Sequence, residues 1–273
     1  MKTAIIEETP WLLNAKNESE QLKHLSFLLD LKRMAQELEC ALAKLEQRQN
    51  SNGSWSWFQG GNEDWFITQY IVNVIAHLQK LGAIKTYKDR FDILVKKART
   101  FLENKIRLDY EHLAEEIKSG QTKWEDNHLG SLQILFLYGE SFYTDSKSNT
   151  SFTKIENYYL QQVKTYWHSN NIYLEGMCAL IASRNHDKQL AELIINSLDQ
   201  RAIRNPEFGM YWKNKWSWNW HELPIETQAL MIEAFYEIKK NDKDIDEMKV
   251  SLLKNKQTNH WGTTKATTAA IYA

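Results

Sequence analysis

Apolar positions along this chain recur at helical spacing. From Glu18 to Gln47, Leu22, Leu25, Leu28, Leu31, Met34, Leu38, Leu42 and Leu45 return at intervals of three and four, with Lys, Glu and Gln between them. That spacing predicts an amphipathic helix with one buried stripe. Asp64 to Leu81 differs. There Gln69, Asn73, His77 and Lys80 form one narrow polar stripe on an otherwise apolar segment, and Gly82 follows as a left-handed stop. A helix apolar on most sides belongs to an inner layer. Leu129 to Tyr138 and Ile225 to Ile238 share this character, the second opened by Pro224 in its first turn. Segments 88–119, 151–167 and 187–199 carry more charge and read as outer helices. No run alternates with a period of two, so the expected class is all-α.

A weak repeat organises these helices. Gln49 to Trp57 is a Gly- and Trp-bearing loop ahead of a helix with Thr68-Gln69-Tyr70. Phe208 to Trp212 precedes Thr227-Gln228-Ala229, and Gln257 to Gly262 precedes Thr267-Thr268-Ala269. Thr227 and Thr268 are 41 residues apart and Thr68 and Thr227 are 159 apart, close to four such steps. A period near 40 is one helical hairpin with its loops. Such an array makes an open solenoid or a closed α/α toroid. The nearly all-round apolar helices favour closure, because a ring has an interior to hide them. Thr263 to Ala273 reads as a helix just begun and stopped without a Gly or Asn cap. The chain is therefore expected to be a piece of a longer protein, its ring incomplete to that extent, with residues 1–273 forming one toroid-like domain.

Composition narrows the function classes. Lys and Arg total 34 against 35 Asp and Glu, a formal charge of -1, without the basic surplus of a nucleic-acid binder. Ten Gly and three Pro fall far below the roughly 12% of average chains, which disfavours a turn-rich β fold. Hydrophobic residues make up 42%, with 11 Trp, 12 Tyr and 10 Phe, enough for a substantial core. No stretch approaches the roughly 20 apolar residues of a membrane-spanning helix, and the first residues do not read as a signal peptide.

Chemistry-bearing motifs are sparse. The eight His show no pair at i,i+4, and in His221-Glu222-Leu223-Pro224-Ile225 an isoleucine stands where a zinc helix needs its second histidine. No phosphate loop, Gly-x-Ser-x-Gly elbow or Cys-x-x-Cys pair occurs, so neither cofactor nor metal is expected. Asp242, Asp244 and Asp246 read as a solvated turn and helix start. Glu63-Asp64 and Glu125-Asp126 each precede a helix beside an aromatic residue. Paired acids with aromatic platforms can cleave a sugar bond, while the plainer role is for Asp64 and Asp126 to cap helices. Cys178, in apolar surroundings, reads as a structural thiol.

The aromatic connectors are the most unusual feature. Trp55, Trp57, Trp212, Trp216, Trp218, Trp220 and Trp261 all fall between helices, and a regular array brings such loops to one end. They either plug that end, each indole N–H bonded to a carbonyl, or form a binding surface for glycan, peptide or a neighbouring domain. Trp212 to Trp220 (WKNKWSWNW) places a Trp at almost every second position. These cannot share one helical face, so that segment is expected to be irregular and partly exposed.

Several stretches resemble the thioester-domain region of bacterial alpha-2-macroglobulin-like proteins, especially the long forms from Bacteroidetes. They are Glu7 to Trp11, Gln49 to Gly61 (QNSNGSWSWFQGG), Trp65 to Tyr70 (WFITQY), Phe208 to Trp212, Ile225 to Leu230, Trp261 to Thr264 and Ala266 to Ile271. The resemblance implies a terpenoid-cyclase-like α/α toroid within a protease-trapping protein of the periplasm or cell envelope. Its partners would be neighbouring domains and a protease. A thioester needs Gln three residues after Cys, but Ala43 follows Cys40 and Ile181 follows Cys178 at that distance. The resemblance therefore implies a non-catalytic scaffolding domain with no catalytic residue. The alternative is an α/α-barrel enzyme degrading polysaccharide, a lyase or hydrolase, with Glu63, Asp64, Glu226 and His221 as candidates. Geometry separates the two: an enzyme leaves an open cavity with converging acids, whereas a scaffold fills it with apolar side chains.

Overall fold

The computed structural model describes residues 31–143, 150–213, 224–258 and 263–273. The chain divides into two compact units, Met1–Gln49 and Asn50–Ala273. In the first, α1 (Leu31–Arg48) is described. Its shielded stripe runs through Leu38, Leu42 and Leu45, while Met34 and Cys40 are exposed. The earlier part of that predicted helix lies outside the described residues.

The second unit alternates apolar and amphipathic helices. The apolar ones are α2 (Trp65–Lys80), α4 (Ser131–Glu140), α6 (Ile172–Arg184), α8 (Pro224–Ile238) and α10 (Thr264–Tyr272). Between them run α3 (Lys88–Lys118), α5 (Thr150–Tyr166), α7 (Lys188–Gln200) and α9 (Asp242–Thr258). Burial follows the sequence pattern. Every residue from Leu174 to Ala182 in α6 and from Glu226 to Phe235 in α8 is buried, as expected for rods enclosed on all sides. By contrast α7 buries one stripe of Leu190, Ala191, Ile194, Ile195 and Leu198. Each such aliphatic side chain contributes on the order of 1.5–3 kcal/mol.

The inner helices pack in sequence, α2 on α4, α4 on α6, α6 on α8 and α8 on α10, and the outer helices back them. Side chains of α10 then return to α2. The Tyr272 and His77 rings stack at 4.0 Å, and Lys265 Nζ lies 5.8 Å from the Tyr70 ring centre. This is an all-α fold of the α/α-toroid type, with five inner helices around an axis among the described residues. Two glycines set its close approaches. A Cβ at Gly139 would overlap the Asn73 amide, and one at Gly176 would overlap Met231.

The sequence shows no period-two run, yet a short antiparallel hairpin of β1 (Ile203–Asn205) and β2 (Gly209–Tyr211) fills the connection after α7. Three-residue strands are too short to leave such a signal. Asn205 Oδ1 accepts from the Glu207 and Phe208 amides to make the turn. Gly209 (φ +69°) lies so close to α9 that a Cβ would strike the Glu247 carbonyl.

Polar residues in the repeated stretches fasten the loops, at positions that are not equivalent in the repeat. Thr68 Oγ1 accepts from Trp55 N at 3.0 Å and donates to Asp64 O at 2.7 Å. Gln228 Nε2 donates to Met210 O at 2.8 Å and Met248 O at 3.1 Å. In both cases a polar residue in an inner helix fastens the aromatic loop that precedes it.

Candidate functional site

All five inner helices contribute to one axial cavity of about 240 Å³. Its polar lining is Asn73, His77, Tyr138, Glu226, Glu233 and Lys265 with the hydroxyls of Tyr70, Tyr173, Thr268 and Tyr272, and leucines, alanines, Val74, Met177 and Ile271 complete the wall. Because inner and outer helices alternate, the inner ones run in one direction and their N-termini share one end. Glu226, Tyr173 and Lys265 lie in first turns; His77, Glu233 and Tyr272 lie in later ones. Glu226 and Glu233 sit seven residues apart on α8, roughly 10 Å along its axis.

At the far end Glu233 is saturated. Its Oε2 accepts from the Tyr138 hydroxyl at 2.7 Å, and its Oε1 from Arg184 Nη2 at 2.7 Å and the Tyr272 hydroxyl at 2.9 Å. Lys80 Nζ is 3.5 Å from Oε1. The single hydroxyl proton of Tyr138 is committed to Glu233, so His77 Nε2, 2.8 Å from that oxygen, must be the donor to it. Arg184 also binds Glu237 and lies 4.0 Å from the Phe142 ring centre. Burial alone would raise the Glu233 carboxyl. His77, Arg184 and Tyr138 outweigh that and hold it well below the usual carboxylate range. Burial, together with the Glu233 charge, pushes both Tyr138 and Tyr272 up. Glu233 is thus a fixed anion that orients its neighbours.

At the end formed by the helix N-termini Glu226 is the opposite case. It is 3% exposed, and neither carboxylate oxygen has a partner at hydrogen-bonding distance. Lys265 Nζ stands 3.7 Å from Oε1. Burial raises the Glu226 carboxyl, and Lys265 offsets only part of that. Burial likewise lowers Lys265, with Glu226 opposing. A buried carboxyl raised in this way can carry a proton near neutrality and deliver it. Tyr70, beside it, is raised by burial and by Glu226.

The loop at residues 50–64 overhangs this end. Gly53 (φ +90°) fits where a Cβ would overlap the Lys97 carbonyl, and Asp64 N donates to Trp55 O at 3.0 Å. Asp64 caps α2, accepting from Ile67 N at 2.7 Å. Glu63 is exposed, bound by Lys105 at 2.6 Å and Asn52 at 2.5 Å, and Lys105 draws its carboxyl down. Of the four acid–base candidates, Glu226 alone is placed in the cavity. Glu63 and Asp64 belong to the loop, and His221 lies outside the described residues.

Among the aromatic candidates, Trp55 is buried, and so is Trp212, whose Nε1 donates to Leu198 O at 2.8 Å. Trp57 is 49% exposed. Trp216, Trp218, Trp220 and Trp261 lie outside the described residues. Asp126 does not cap α4, as the sequence suggested. It accepts from Lys123 N and Thr122 within its own turn, and Gly130 holds the cap position. Asp244 is not solvated but buried against Lys239, Arg204 and Asn241. Cys178 is fully buried, which pushes its thiol up. Among the described residues no group of three or more His, Cys, Asp or Glu could hold a metal ion, and no helix is long and apolar enough to cross a membrane.

Sequence reasoning missed Glu233, Arg184, Tyr138, Tyr272, Tyr70 and Lys265. A signal existed for part of the site. Asn73 and His77 of the polar stripe on α2 face the cavity, and Glu226 and Glu233 interrupt an otherwise apolar helix two turns apart.

No family model matches the chain, and no curated protein matches it. Among solved structures it is similar to an inactive variant of the alpha-1,6-mannanase GH76A of Salegentibacter sp. HEL1_6, in complex with alpha-1,6-mannotetrose. The two are 14% identical, with 82% of this chain and 71% of that chain covered, at a TM-score of 0.48. These findings overturn the alpha-2-macroglobulin resemblance, and with it the protease-trapping scaffold and inhibitor roles. The expectation of a non-catalytic chain rested on that resemblance and is withdrawn with it. Of the stretches behind that resemblance, Trp65–Tyr70, Ile225–Leu230 and Ala266–Ile271 lie within inner helices, a pattern that belongs to the helical array and not to one family. A likeness this distant transfers no chemistry, so the activity has to be argued from the cavity.

Proposed function

We propose that this chain is a polysaccharide-degrading enzyme that cleaves a glycosidic bond with Glu226 as general acid. The observation that carries the reading is the carboxyl of Glu226, buried without a hydrogen-bond partner and facing an unfilled cavity. A cavity of about 240 Å³ is below the roughly 300 Å³ of drug-sized pockets and suits one sugar ring. The leucines, alanines and Met177 of the wall supply apolar surface for such a ring, and Asn73 and Thr268 supply polar contacts to it.

Glu226 gives its proton to the leaving oxygen as the C–O bond breaks. The carboxylate then formed is held by the Lys265 ammonium. Water adds to the sugar carbon and its proton returns to Glu226, so the net change is addition of water across the bond. Glu233 keeps its own bonds throughout and holds Tyr138, Tyr272 and His77 in place.

The test is reducing-end release from a panel of soluble mannans, glucans, xylans and polyuronates. Wild-type protein should cleave at least one, and Glu226→Gln should lower turnover by about two to four orders of magnitude with the fold intact by circular dichroism. Undiminished cleavage by E226Q, or no cleavage by wild type, would overturn the reading.

A further inference from the structure

Asn73 is the member of the polar stripe on α2 that the fold leaves untied. Gln69 Nε2 donates to Leu132 O at 3.1 Å, His77 Nε2 lies 2.8 Å from the Tyr138 hydroxyl, and Lys80 binds Glu237. Asn73 is 7% exposed and lines the cavity, and among the described residues its amide makes no hydrogen bond. A buried amide without a partner costs stability, and nearly all such groups in folded proteins are paired. Here that cost falls at the wall of an unfilled cavity.

The amide is also held in place. It abuts Gly139 of α4, where a Cβ would come within 2.4 Å of Oδ1, so only a residue without a side chain leaves room for it. Along α2 it stands between the two acids. Tyr70, three residues earlier, has its ring 5.8 Å from Lys265 Nζ, which is itself 3.7 Å from Glu226. His77, four residues later, is 3.6 Å from Glu233. Asn73 thus lies roughly 4.5 Å along the helix from Tyr70 and roughly 6 Å from His77.

We propose that Asn73 is the specificity-determining residue of this cavity, its amide donating to one and accepting from the other of two adjacent hydroxyls on a neutral sugar unit. This rests on the cleavage reading above for the ligand being a sugar, although the binding itself needs no chemistry. An amide carries a donor and an acceptor side by side, and neighbouring hydroxyls on a sugar ring offer the matching pair. A carboxylate only accepts, so the amide oxygen would oppose it, which favours neutral sugars over uronates. An amide already fixed against α4 loses little freedom when the ligand arrives.

Calorimetric titration with methyl glycosides of mannose, glucose, galactose, xylose and glucuronic acid tests the assignment, in the Glu226→Gln background so that the ligand survives. At least one neutral glycoside should bind. Adding Asn73→Leu, which keeps the shape of the side chain and removes both polar atoms, should weaken that binding by at least about tenfold and raise the melting temperature. Monodeoxy analogues lacking either of the two hydroxyls should bind the Asn73→Leu protein no more weakly than their parent does. Gly139→Ala should weaken binding too, by displacing the amide. Binding of no neutral glycoside, preference for the glucuronide, equal binding with and without Asn73→Leu, or the same loss for the parent and every deoxy analogue overturns the assignment. A lowered melting temperature in Asn73→Leu also overturns it, because the amide would then be a structural group. Binding that depends on Asn73 without cleavage by wild-type protein leaves the assignment standing and removes the catalytic reading, so the two failures are distinguishable.

Discussion

The two ends of the axial cavity treat the same side chain in opposite ways, on one face of one helix. At Glu233, hydrogen bonds from Tyr138, Arg184 and Tyr272 more than compensate the cost of burial. At Glu226, burial is equal or deeper, yet the nearest cation stands off at 3.7 Å and the carboxyl is raised. Burial therefore does not decide the role of a carboxylate. The donors that neighbouring helices bring to it do. An acid that is satisfied holds structure together, and one left unsatisfied is available to react.

The largest expected break in this comparison comes from Arg184. Replacing Arg184 with Ala leaves the Glu233 charge buried with hydroxyl, His77 and Lys80 neighbours only, and unfolding in urea should show a loss of about 3–5 kcal/mol. Glu226→Gln should cost far less by the same measurement, because no hydrogen bond is removed.

The pH dependence should separate the two acids by sign. Glu233 is held below its ordinary value of 4.5. The stability it contributes is present above that value and is lost as pH falls through the lower, folded one. Glu226 is raised above the same value, so its contribution is full at acid pH and is lost as pH climbs through its folded value. Urea midpoints measured from about pH 3 to 8 should lose part of their acid limb in Glu233→Gln and part of their decline at higher pH in Glu226→Gln. If both variants changed the same limb, the assignment of opposite environments would fail.

A smaller effect is expected at the loop before α2. Asp64→Ala removes the cap of α2 and should cost about 1 kcal/mol, visible as a lower melting temperature with little change at the Glu233 end.

Much of the architecture was legible because it depends on local pattern. The apolar character of α2, α4 and α8 predicted the inner layer, the charged helices predicted the outer one, and Gly82 and Pro224 marked a stop and a start that are observed. The polar stripe on α2 identified a buried helix, but its partners could not be read. The Glu233 network joins residues 77, 138, 184, 233 and 272 from five different helices, and no local spacing records that convergence. The mistaken cap at Asp126 has a related cause. An acid before a helix satisfies the sequence rule, yet the chain between Asp126 and α4 makes its own turn first. The solvated reading of Asp244 failed because its cations, Arg204 on the hairpin and Lys239 just past α8, are brought to it by the fold. The alpha-2-macroglobulin resemblance drew in part on stretches within α2, α8 and α10, a pattern that reports the helical array and leaves its chemistry open.

Thr68 and Gln228 grip their loops by main-chain atoms, at Trp55 N and Met210 O, and never by a loop side chain. Every amino acid except proline offers an identical amide and every one an identical carbonyl, so these latches are indifferent to what the loops spell. Drift in the overhanging segments can retune which ligand is met while the barrel beneath is left untouched.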